Sequence, residues 1–140
     1  MTQGVHTATE VRKNWSDIID IVQNRPIKVS RNNKNTFSLI PLYMWELLLA
    51  DYSLELTIEE DEGGGYIASF EGIDLIAAEG TKEDTIEDLK EQLIEYAEEV
   101  IEDLHFYARD SERMKKFPHL LKVWLFPDNL FCLETYPLGH

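Results

Sequence analysis

Cysteine is almost absent from this chain. Cys132 is the only one, so no internal disulfide can form, which suits a reducing cytoplasm. Long apolar runs are missing too. None approaches the roughly 18–20 residues of a membrane span, and Met1–His6 has no signal-peptide pattern. The expectation is a cytoplasmic protein with no membrane partner. Histidine is sparse: His6, His105, His119 and His140 are scattered without metal-ligand spacing, and no metal or cofactor is expected. Cations are scarce as well. Thirteen Lys/Arg stand against 27 Asp/Glu, a net charge of −14. That balance opposes non-specific binding of nucleic acid by the whole surface, leaves room for a local basic patch, and favours a basic protein partner.

What is present fits one ordinary domain or two small ones. The chain has 140 residues, 44% of them hydrophobic, which is normal for a folded protein. The charge is unevenly divided. Up to Tyr52 six Lys/Arg face five Asp/Glu, a net +1; beyond it seven face twenty-two, a net −15. A boundary near Tyr52-Ser53 follows, giving residues 1–52 and 53–140.

Val5–Thr7 reads as a short strand. Thr7-Ala8-Thr9-Glu10 has the form of a capping box, and Val11, Trp15, Ile18, Ile19 and Val22 follow at helical spacing. The spacing predicts a helix from about Ala8 to Gln23, ended by Asn24-Arg25-Pro26. Ile27–Ser30 and Phe37–Ile40 read as two strands around an Asn32–Asn35 turn, where asparagine tolerates the left-handed conformation. Pro41–Ala50 reads as a helix so apolar that a second subunit is expected to cover it. Strands follow at Leu54–Ile58, Tyr66–Phe70 and Leu75–Ala78, with a turn at Asp61–Gly65. Thr81 caps a helix whose stripe is Ile86, Leu89, Leu93, Tyr96, Val100 and Leu104, running to about Tyr107. Leu120–Phe126 and Leu130–Thr135 read as two last strands around Pro127-Asp128-Asn129. The fold class is α+β.

Thr7–Ile19, with Pro26–Asn35 and Leu39–Leu48, resembles the first helix, the strand–turn–strand and the second helix of the Phd/YefM antitoxins. Asn33-Lys34 stands where that family usually has Gly-Lys. The resemblance implies an antitoxin of a two-gene toxin–antitoxin module: a homodimer or higher even oligomer that binds operator double-stranded DNA and represses its own operon. It puts DNA contacts on Arg12 and Arg31, with Asn32, Asn33 and Lys34 at the hairpin tip; Thr9 and Lys13, on the same helix, are further candidates. Independent chemistry agrees. Arginine can bond a guanine edge bidentately and asparagine an adenine, lysines serve phosphates, and a helix start offers free amides.

Tyr66–Phe70, Ala78–Thr81 and Lys82–Lys90 resemble the HicB antitoxin core, a three-stranded sheet and a long helix. HicB proteins normally place their DNA-binding domain at the other end. This resemblance implies that residues 53–140 form an acidic, toxin-facing module with a partial ribonuclease-H-like layout. Its partner would be a cognate basic toxin, most simply a small ribonuclease.

Other constellations are weaker. Glu59–Glu62 reads as a charged turn, and Asp84, Glu87, Asp88, Glu91 and Glu95 as a solvated helix face rather than catalytic carboxylates. The triple glycine lacks the Lys-Ser/Thr of a phosphate loop. No enzyme is expected. Cys132 reads as strand packing, and Trp15, Trp45 and Trp124 as core or dimer anchors. The stretch from Lys116 through Leu125 either packs back onto the sheet or serves as a toxin-wrapping arm. The alternative to an operator-binding antitoxin is a non-catalytic binding or scaffold protein that has lost DNA recognition.

Overall fold

The computed structural model describes residues 5–32, 35–128 and 134–137. The chain divides into two compact units, residues 1–48 and 49–140. The division falls a few residues before the change in charge balance at Tyr52.

In the first unit, β1 (Val5–Thr7) leads into α1 (Ala8–Lys13) and α2 (Trp15–Val22), then β2 (Ile27–Arg31), β3 (Asn35–Leu39) and α3 (Leu42–Leu48). β2 and β3 form an antiparallel hairpin and β1 pairs parallel to β2, in the order β1-β2-β3. The expected single helix is two. Asn14 adopts φ −115° and ψ 36°, and its side-chain amide donates to the Glu10 carbonyl at 3.2 Å. The Asn14 backbone N–H keeps its bond to the same carbonyl at 2.9 Å, so the side chain shares that acceptor with the ladder while the backbone angles depart from helical values. The capping box forms by half. Glu10 N donates to the Thr7 hydroxyl at 3.1 Å, but the Glu10 carboxylate sits 3.6 Å from His6 Nδ1.

The core of this unit is small: Val11, Ile18, Ile27 and Val29. No residue of α3 is buried, and Leu47 is 74% exposed. Asn32 takes φ +54°, the left-handed conformation expected at this turn. Asn33 and Lys34 lie outside the described residues.

In the second unit, β4 (Glu55–Glu60), β5 (Tyr66–Phe70) and β6 (Ile73–Glu79) precede α4 (Lys82–Glu102), α5 (Leu104–Tyr107), α6 (Ser111–Met114) and α7 (Phe117–Leu125), and β7 (Glu134–Pro137) follows. The sheet order is β6-β5-β4-β7, with β7 parallel to β4 and the other neighbours antiparallel. The β4–β5 turn needs glycine at position 65. Its φ is +90°, and a Cβ there would stand 2.6 Å from the Glu79 carbonyl oxygen.

Leu56 and Ile58 of β4, Ala68 and Phe70 of β5, and Ile73 and Ala77 of β6 meet Leu89, Leu93, Ala97 and Val100 of α4. The buried line of α4 runs through Thr85 and Ala97, while Ile86 and Tyr96 of the expected stripe are only half-buried. Burial raises the Tyr96 phenol above its ordinary value, and the nearby Arg113 opposes that rise. α4 stops at Asp103, short of Tyr107. Thr81 caps α4 by accepting from Asp84 N at 3.1 Å, and the Thr85 hydroxyl donates to the Thr81 carbonyl at 2.6 Å. Thr81→Ala is expected to cost about 1 kcal/mol, seen as a lower urea midpoint at unchanged slope.

Leu120–Phe126 is not a strand. Phe117–Leu125 is a helix with Pro118 in its first turn, where the missing N–H is harmless and the fixed φ suits a helix. Leu120 and Val123 lie in the core with Leu93, so this stretch packs back within its own unit. His119, on the same helix, meets Tyr52 edge-on at 5.4 Å. Burial lowers its pKa, and Lys116 and Lys122 add to the effect. The expected strand from Leu130 falls mostly outside the described residues, as does Cys132.

Candidate nucleic-acid interface

The first unit places its cations through two local choices. Parallel pairing of Thr7 with Ser30 sets the start of α1 beside the end of β2. Thr9 and Arg12, three residues apart on α1, share a helix face, while Val11 is buried. The result is an open concavity of about 800 Å³ lined by Thr7, Ala8, Thr9, Arg12, Ser30, Arg31, Asn32 and Phe37.

Four of the sequence-predicted residues, Thr9, Arg12, Arg31 and Asn32, therefore come together. Lys13 is exposed on α1 but does not line this surface. Asn33 and Lys34 fall outside the described residues. Among the described residues, Arg12, Lys13, Lys28 and Arg31 form no ion pair, since the bridges are His6–Glu10, Arg113–Asp110 and Lys115–Glu112. Exposed guanidinium groups without a carboxylate partner remain available to an outside anion. The helix start contributes little of its own. α1 has six residues, and the Thr7 hydroxyl already takes the Glu10 amide.

Sequence reasoning passed over Phe37 and Ser30. Phe37 pairs with Val29 across the hairpin, so its strand position reads as core. Val29 is fully buried, yet Phe37 is 53% exposed. Nothing in the spacing separates the two.

A second concavity of the first unit is apolar. Trp15, Ile18, Ile19 and Val22 of α2 face Leu39–Tyr43 around about 430 Å³. Trp15, Ile19, Leu42 and Tyr43 remain substantially exposed there. The Tyr43 hydroxyl donates to the Asn24 carbonyl at 3.4 Å, tying the start of α3 to the end of α2.

The second unit differs in charge. Residues 1–48 hold six Lys/Arg and four Asp/Glu, a net +2; residues 49–140 hold seven and twenty-three, a net −16. On the sheet face away from α4, strand alternation sets Glu55 and Glu59 of β4 with Ile67 of β5 and Asp74 and Ile76 of β6. Ile76 is 61% exposed. Along α4, Glu95, Glu98, Glu99 and Glu102 border a groove with Leu75, Gln92 and Tyr96. None of these carboxylates forms an ion pair among the described residues. Nor is any group of three or more His, Cys, Asp or Glu placed there to hold a metal. Among the described residues, no helix is long and apolar enough to cross a membrane.

A small α+β protein with one mildly basic and one strongly acidic unit is the architecture in hand. Residues 1–131 match the PHD-like family, described as the antitoxin of RelE/RelB toxin–antitoxin systems. The chain belongs to that antitoxin family. It is also similar, at 26% identity and a TM-score of 0.79, to a crystal structure from Syntrophomonas wolfei subsp. wolfei. That protein is described as the antitoxin part of a candidate toxin/antitoxin system, and the similarity covers 99% of this chain and 100% of the other. The search of curated proteins gave no match. An antitoxin implies a toxin partner.

Proposed function

We propose that this antitoxin divides its work between its two units. Residues 1–52 act as a Phd/YefM-like dimerisation and operator-binding domain. Residues 53–140 act as a HicB-like, toxin-neutralising domain. The same dimer represses its own operon in the cytoplasm. The observation that carries the DNA-binding half is the convergence of Thr9, Arg12, Arg31 and Asn32 on one open surface whose arginines have no carboxylate partner among the described residues. That set combines donors for guanine and adenine edges with a charge that attracts phosphate. Lys13, with Asn33 and Lys34 at the hairpin tip, would add backbone contacts.

Dimerisation is supported by the apolar concavity of α2 and the Leu39–Tyr43 segment, together with a core of four buried side chains among the described residues. A unit this small gains much of its stability from burying such a surface against a copy. Toxin neutralisation is supported by the −16 unit, whose exposed carboxylates suit a basic partner such as a small ribonuclease.

Arg12→Ala and Arg31→Ala are each expected to weaken operator binding by about 1–3 kcal/mol without changing the oligomeric state. Gel shifts on the DNA preceding the gene, paired with sedimentation, check this. Wild-type binding by both variants would contradict the reading.

A further inference from the structure

We propose that Phe37 is a specificity-determining residue that reads the 5-methyl group of a thymine beside the arginine contacts. This rests on the operator-binding reading above and adds the base it selects.

Apart from Ala8, the residues that share this concavity with Phe37 are polar or cationic, Arg12, Arg31 and Asn32 among them. A phenyl ring 53% exposed there contributes little to folding, and it is absent from the core of its unit. Its cross-strand partner Val29 is fully buried on the same sheet face. Phe37 thus stands on edge strand β3 and outside the packed cluster that takes in Leu39, two residues on along the same face. The ring is not committed to a neighbouring cation. Among the described residues, the stacked guanidinium is Arg113 over Tyr107, at 5.1 Å.

What such a ring can recognise is narrow. A two-stranded ribbon fits the major groove of B-form DNA, where each base pair shows a distinct edge and thymine alone shows a methyl group. Arginine takes guanine O6 and N7, asparagine takes adenine, and an apolar side chain takes the thymine methyl. Arg31, Asn32 and Phe37 of one hairpin thus supply complementary parts of a base-reading surface. The minor groove offers no methyl, so the assignment also names the groove entered.

The test uses the full chain. A preferred duplex is selected from a random-sequence library, and each of its thymines is replaced singly by deoxyuridine, which lacks only the methyl. At one or more positions, the wild type is expected to lose about fourfold in affinity per methyl removed, the worth of one methyl-sized apolar contact. Phe37→Ala should show the same loss on the thymine duplex and no further loss on the deoxyuridine duplex. Phe37→Leu should restore most of the discrimination.

Wild-type indifference to every replacement, or equal losses by Phe37→Ala on both duplexes, overturns the assignment; the latter would mark a sugar contact. So does a changed oligomeric state of Phe37→Ala, which would mark subunit packing. If Arg12→Ala and Arg31→Ala weaken the selected duplex while deoxyuridine has no effect, the operator reading stands and the role of Phe37 falls. If selection yields no preferred sequence, both fall.

Discussion

Ile19→Asp is expected to split the proposed dimer and to abolish operator binding with it. Ile19 is 40% exposed in the protomer and borders the apolar concavity formed by α2 and the Leu39–Tyr43 segment. A carboxylate is tolerated there while water reaches it. Closing a second copy over that surface would strand the charge, at a penalty of several kcal/mol per ion. A two-fold interface would meet that penalty twice, because the same patch serves both subunits. Sedimentation should show a monomer, denaturant unfolding should show a less stable first unit beside an unaltered second one, and gel shifts should show no specific complex. A variant that remains dimeric would place the subunit contact elsewhere.

Leu93→Ala should have the largest effect on stability, about 2–5 kcal/mol. Leu93 is 0% exposed and lies where α4 meets both the sheet and α7. The cavity left behind is bordered by elements anchored elsewhere and cannot readily collapse. Denaturant unfolding followed by tryptophan fluorescence should report the loss, since Trp124 sits on α7. On the proposed division of work, toxin neutralisation should fall with the folded fraction while operator binding by the other unit persists. A loss below about 1 kcal/mol would mean that the site repacks around the smaller side chain.

Much of the fold was legible because local signals agreed with one another. The Ile27–Arg31 and Asn35–Leu39 hairpin, the glycine turn before Tyr66 and the Thr81 cap all sit where branched residues, turn residues and a capping hydroxyl point. Where the reading failed, one physical effect overrode another. Asn14 lies in the middle of a well-spaced apolar pattern, and its φ of −115° and ψ of 36° divide the helix that the pattern suggests. Leu120–Phe126 is a short apolar run, and such runs do not distinguish strand from buried helix. Pro118, two residues earlier, was the available signal for a helix start.

The candidate site was legible in its charges and not in its aromatic member. Arg12 and Arg31 stand out against an acidic chain. Their convergence depends on the parallel pairing of β1 with β2, a contact between residues some twenty positions apart. Phe37 follows the alternation of a core residue and is nonetheless 53% exposed.

The break at Asn14 bears on how such proteins diversify. It assigns Arg12 to a short leading segment and Trp15, Ile18 and Ile19 to the one that follows. Residues that would choose a DNA sequence and residues that would hold two copies together then lie on opposite sides of that break. On the proposed division, a lineage exchanges the former freely, acquiring a new genetic address, while the proposed self-association is inherited intact.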